Sequence, residues 1–221
     1  MAANPSIVVA CLDVGSVGNT GWAVLDDGIA NTGRDLDSLV RALVEPLMDG
    51  RRLALGFECP LYVPRRSDPR ELTKRRAGEI GVNWCGGPGG SVLATGIVQV
   101  GWVLEQIAAR APKLVGTTRW REFADGRAQI WVWEAFVTSK AGAPVALEKL
   151  GEAGRTPHEM DALAATLEAS KRLRLSDGPH SDLAEAAGSS IAAMQLIAAG
   201  LAADTGLLTE PCIVIKARKP Q

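Results

Sequence analysis

Residues 7–25 read IVVACLDVGSVGNTGWAVL, and the rest of the chain is best interpreted outward from them. The unbroken apolar run 7–12 fits a strand buried on both faces. It closes on Asp13, a charge at the rim of what should be a hydrophobic layer. Gly15, Gly18, Asn19 and Gly21 make a loop, and 22–25 resumes as a second strand. Desolvating a lone carboxylate costs several kcal/mol, so one at the end of a core strand is exposed, paired or bound to a cation.

The 221 residues are 47% hydrophobic and 22% charged, enough apolar material for one sizeable core and too much for disorder. They read as a single domain, 1–221, with an irregular, basic and Gly-rich insertion at about 62–90. A net charge of −1 excludes a protein that coats nucleic acid by overall charge, though not one with a local basic patch. Cys11, Cys59, Cys85 and Cys212 are scattered, without a CxxC pair, as expected of reduced thiols in a cytoplasmic protein. No basic segment precedes the first apolar run, so no signal peptide is expected. The helix at 191–203 is read as the longest apolar candidate; it is too short to span a bilayer and suits either core or a homodimer interface.

Asp26-Asp27-Gly28 between short apolar runs is a strong hairpin signal, so the first three strands should form an antiparallel meander. Leu36, Leu39, Val40, Leu43, Val44 and Leu47 recur at helical spacing up to Gly50. The next buried strand, 53–57, closes on Glu58-Cys59-Pro60. Within 62–90, a helix over 69–77 would align Arg66, Arg70 and Lys74, before the sequence NWCGGPGG. Ser91 would cap a long helix that Pro112 stops, and 129–136 (QIWVWEAF) is an apolar strand interrupted by Glu134. Thr156-Pro157-His158-Glu159 has the makings of a capping box with proline at the first helical position. A last Ala-rich helix should start at Ser181 or Asp182, and 212–216 (CIVIK) reads as a final strand. The alternation predicts an α/β domain with a mixed five-stranded sheet covered by helices on both faces.

Asp13, Glu58 and Glu134 all stand at or near the ends of buried strands, and Asp161 lies in the second turn of a well-capped helix. His158 sits three residues earlier on the same helical face. Strand ends share one sheet edge, and a helix can project over it. Carboxylates gathered there repel unless a cation joins them, and hard oxygen ligands suit Mg²⁺ or Mn²⁺. Such a centre supports phosphodiester cleavage. Asp13, Glu58 and Asp161 are the candidate ligands. Glu134 is a lesser one that could instead pair with Lys140, and His158 could orient a ligand or assist proton transfer. Arg66, Arg70 and Lys74 are candidates for phosphate contacts, with Ser16 and Asn19 on the loop beside Asp13. Trp84, next to the glycines, could stack on a base.

Asp13-x-Gly15-Ser16 with Asn19-Thr20-Gly21-Trp22-Ala23-Val24 resembles the first motif of RNase H-like nucleases, particularly the Holliday-junction resolvase branch. Glu58 resembles that branch's second acid, and His158-x-x-Asp161-Ala162 its helical motif. A closer likeness is to bacterial "predicted RNase H-like nuclease" domains. There, a strand end comparable to Glu58-Cys59-Pro60 precedes an Arg/Asp segment comparable to Arg66, Asp68 and Arg70. The likeness runs from about residue 6 to 217. It implies an RNase H-like fold and a metal-dependent nuclease acting on DNA or RNA. Two features depart from it. No proline follows Glu134, and Ala164 stands where the resolvase helix often has a second acid. Two alternatives belong to other classes: a non-catalytic RNase H-like binding module, and an actin-like or sugar-kinase-like phosphate-binding protein, for which 221 residues are few.

Overall fold

The structure, a computed structural model, describes residues 6–81, 83–138 and 154–218. Strands β1 (Ile7–Asp13), β2 (Gly21–Asp26) and β3 (Ile29–Gly33) form the expected antiparallel meander. The β2–β3 turn is built on Asp27 and Gly28, both at positive φ (45° and 85°), the conformation that a DG hairpin turn requires. Helix α1 (Leu36–Met48) returns the chain to β4 (Arg52–Glu58), which lies parallel to β1. Strand β7 (Ile130–Thr138) pairs parallel with β4 on its other side.

The sheet has seven strands rather than five: five run across it in the order β3-β2-β1-β4-β7, and two more pair with the far edge of β7. The surplus arises because two short strands share one edge of β7. The two-residue β6 (Gly116–Thr117) covers its start, and β9 (Val214–Arg218) covers Glu134 to Thr138. A separate two-stranded sheet joins β5 (Tyr62–Pro64) to β8 (Gly188–Ser190).

Alternation along the strands divides the core. Val8, Ala10 and Leu12 of β1, with Leu53, Leu55 and Phe57 of β4, face α1, α2 (Pro88–Arg110) and α5 (Ile191–Ala198). Val9 and Cys11, with Ala54, Trp131 and Trp133, face α3 (Trp120–Ala124) and α4 (Pro157–Arg172). Helices therefore cover both faces, as expected. Gly56 is needed on the second face, because a Cβ there would lie 2.3 Å from the Trp133 ring.

Four boundaries differ from expectation. No helix covers 69–77: Asp68 accepts a hydrogen bond from the Arg70 N–H and caps only a 3-10 turn, Pro69–Glu71. Helix α2 starts at Pro88, not after Ser91, since Gly87 (φ 49°) reverses the chain and Pro88 needs no N–H partner in the first turn. The Ala-rich region is not helical from Ser181. Asp182 pairs instead with the backbone of β9, and 188–190 adds to β5 before Ser190 caps the short α5. The last strand begins at Val214 rather than at 212.

Among the described residues the longest apolar helix is α2, not 191–203. Its 23 residues are long and apolar enough to cross a membrane by length and composition. Here it packs on α1 and α5, burying Val100, Val103, Leu104 and Ile107.

Candidate metal centre

Asp13 and Glu58 are register partners at the carboxyl ends of the parallel pair β1–β4, on the face that carries α4. Side chains at paired positions of neighbouring strands project to the same side, so the register itself brings the two carboxylates together. Crevices at the carboxyl ends of strands are where open α/β sheets bind ligands.

The third carboxylate comes from α4. Thr156 caps this helix through the Glu159 N–H, and Glu159 reaches back to the Thr156 N–H at 2.8 Å. A cap of this kind contributes about 1 kcal/mol and sets the helix start. Burial works against ionised Glu159, but its bonds to Thr156 and Thr32, with the Arg34 charge, together outweigh burial and hold its pKa below the usual glutamate value. Gly21, opposite Asp13 in the β1–β2 pair, lets the first turn of α4 come close. A Cβ at Gly21 would lie 2.3 Å from the His158 carbonyl carbon and 2.4 Å from the Glu159 nitrogen.

With the helix seated there, His158 Nδ1 is 2.7 Å from Asp13 Oδ2. An ionised Asp13 carboxylate only accepts, so Nδ1 is then the donor of this bond, and the ring is half-exposed. Asp161, one turn on, joins Asp13 and Glu58. One ligand atom from each of the three lies within 4.8 Å of the others. Asp13 and Asp161 are buried, while Glu58 is half-buried and accepts from the Val137 N–H of β7 at 3.3 Å. Like charges about 5 Å apart repel by roughly 3 kcal/mol per pair at an effective dielectric constant of about 20. The positive N-terminal end of α4 offsets part of this. The neighbouring Cys11 thiol is pushed well above its ordinary pKa by burial first, then by Glu58 and Asp13.

Gly21→Ala is expected to lower stability by about 1–3 kcal/mol, the usual cost of overpacking, because backbone rather than a flexible side chain blocks the added methyl. Chemical denaturation measures it, and a loss below about 0.5 kcal/mol would mean that α4 can back away freely.

Glu134 does not join the three. It is register partner to Phe57, so it projects to the α2 face, opposite in parity to Glu58. Its carboxylate is held bidentately by Arg76, at 2.7 and 2.8 Å, and accepts from the Leu61 N–H at 2.8 Å. Arg76 also bonds Glu79 and lies over the Tyr62 ring, 4.8 Å from its centroid. All three charged side chains are about 1% exposed. Burial disfavours the Arg76 charge, but Glu134 and Glu79 more than compensate and raise its pKa. The alternative partner for Glu134, Lys140, lies outside the described residues.

The expected phosphate contacts are already engaged. Arg66 bonds Glu185 at 2.7 Å, Arg70 bonds Asp68 at 2.8 Å and Lys74 bonds Glu71 at 2.6 Å. Arg65 and Arg75, of the same basic stretch, are exposed and make no ion pair among the described residues. Ser16 and Asn19 stay exposed on the loop after β1 and bond each other, Asn19 Nδ2 donating to Ser16 Oγ at 3.1 Å.

A cleft of about 450 Å³ opens beside Asp13 and Glu58. Its walls are the end of β7, the residues after β4, Arg76, residues 79–81, Trp84 and the first turns of α2. Comparison of the chain with protein-family models, with curated proteins and with solved structures finds no match.

Proposed function

We propose that this protein is a divalent-metal-dependent nuclease on an RNase H-like fold, hydrolysing phosphodiester bonds of DNA or RNA. The observation that carries the proposal is the convergence of Asp13, Glu58 and Asp161 within 4.8 Å at the carboxyl edge of the sheet, at the mouth of a cleft. Three elements far apart in sequence supply one hard-oxygen donor each, which fits Mg²⁺ or Mn²⁺ better than a softer metal. When bound, such a cation supplies Lewis acidity, lowering the pKa of a water and neutralising charge that develops on phosphate oxygens.

The protein's own residues complete the site. Asp13, Glu58 and Asp161 hold the cation. His158 orients Asp13 through Nδ1 and moves a proton at Nε2. Arg65 and Arg75 offer unpaired charge to neighbouring phosphates. Arg70 and Lys74 can join them, since exposed ion pairs are worth at most about 1 kcal/mol and a phosphate can displace them. Glu134 acts structurally, tying Leu61, three residues beyond Glu58, to Arg76. The four free cysteines, three of them buried, are in keeping with a cytoplasmic setting.

The test is a panel of labelled single-stranded, duplex and branched DNA and RNA, incubated with Mn²⁺, Mg²⁺ or EDTA. Cleavage is expected with either metal, to stop in EDTA and to return on adding Mn²⁺. Cleavage that survives EDTA would remove the cation from the mechanism. No cleavage, together with no Mn²⁺-induced rise in melting temperature, would overturn the proposal.

A further inference from the structure

The cleft beside the carboxylates has a composition of its own. Arg76 is the single basic side chain among its described lining residues, and every nitrogen of that guanidinium is engaged. Nε bonds Glu79, Nη1 bonds Glu134 and the Tyr62 carbonyl, and Nη2 bonds both glutamates. The glutamates are occupied in turn. Glu134 takes Arg76 and the Leu61 N–H, and Glu79 takes Arg76 and the N–H of Trp84. Apart from Asp13 and Glu58, the charged part of the wall is therefore closed on itself, and the described lining residues leave no free cation for a phosphate.

What remains is apolar and partly aromatic: Ile80, Trp84, Val92, Phe136 and Val137. Ile80 is 57% exposed in this concave setting. Trp84 is fixed at both ends, its backbone N–H on Glu79 and its ring Nε1 on the Lys74 carbonyl at 3.1 Å. A volume of about 450 Å³ lies in the range that seats one small ligand. A flat, uncharged group with apolar faces fits these walls, and in a nucleic acid that group is a base lifted out of its stack.

We infer that the cleft seats a single unpaired nucleobase next to the carboxylates, so the substrate is a strand with an unpaired nucleotide at the cut rather than continuous duplex. This rests on the nuclease function proposed above. Trp84 supplies the aromatic wall and Ile80 the apolar rim, while the adjoining phosphate lies toward Asp13 and Glu58.

Fluorescence polarisation tests it, with Ca²⁺ in place of Mn²⁺ and four labelled probes in DNA and RNA form. These are a single strand, a perfect duplex, a duplex with one unpaired base, and that duplex with an abasic site replacing the unpaired base. The single strand and the unpaired-base duplex are expected to bind about tenfold more tightly than the perfect duplex, a gain lost with the abasic site. Trp84→Ala should abolish the preference, and Ile80→Ser, at an exposed position that folding tolerates, should weaken it severalfold. Equal binding of all four probes, unchanged in both variants, would overturn the base site while leaving the nuclease intact. Failure to bind or, with Mn²⁺, to cut any probe would overturn the nuclease and the base site together.

Discussion

Asp13→Asn is expected to reduce Mn²⁺-supported cleavage on the order of a thousandfold, about 4 kcal/mol in the activation barrier. Asp13 is the hinge of the centre: it is in register with Glu58, within 4.8 Å of Asp161 and hydrogen-bonded to His158. The substitution keeps the side chain's shape and an acceptor for His158 Nδ1, and removes only the charge. Melting temperature in EDTA should therefore stay within about 3 °C of the parent, while the Mn²⁺-induced rise disappears. Asp177→Asn serves as control, because Asp177 forms a similar pair with His180 but on the exposed surface. If Asp13→Asn still cleaves at close to the parent rate, the three carboxylates are not the catalytic centre.

The largest loss of stability should come from Arg76→Met. The new side chain fills much of the same volume but leaves Glu79 and Glu134 buried without their cation, a fault that typically costs about 3–5 kcal/mol. Adding Glu79→Gln and Glu134→Gln removes both stranded charges and keeps acceptors for the Leu61 and Trp84 N–H groups. The triple variant should regain about half of the loss or more. Urea denaturation of both proteins gives the comparison. A single-variant cost under about 1 kcal/mol would show that the glutamates find other partners or protonate cheaply.

The sequence carried the alternating α/β plan because its signals were local. They included the buried run before Asp13, the DG turn, the capping box at Thr156 and the periodic apolar residues of α1. Asp13 and Glu58 were legible for a related reason, each being a charge at the end of an apolar strand run, and Asp161 because it follows His158 by one turn in a well-capped helix. Glu134 shows where this stops. A strand-end acid announces its place along the strand but not its face, and β7 turned out to be offset by one residue, pairing Glu134 with Phe57 and so sending it to Arg76. Arg76 stands unmarked within the basic 62–90 stretch, because nothing local shows which member of a basic run will be buried. The short strands β5, β6 and β8 were invisible for a similar reason. Two or three residues carry no periodicity, and their pairing is decided by partners distant in the chain.

The placement of β9 has a bearing on when the molecule can work. Its residues 214–218 cover the open edge of Glu134 to Thr138, the stretch of β7 that carries the N–H bonded to Glu58 and lines the cleft. Synthesis delivers β9 some 200 residues after Asp13. A nascent chain at the ribosome exit therefore holds its first two carboxylates long before α4 or the supporting strand exists. Contacts of such wide sequence separation also form late in folding. The cleft wall is thus completed only once β9 has been made and docked on β7, and a chain that stops short of it lacks the assembled edge.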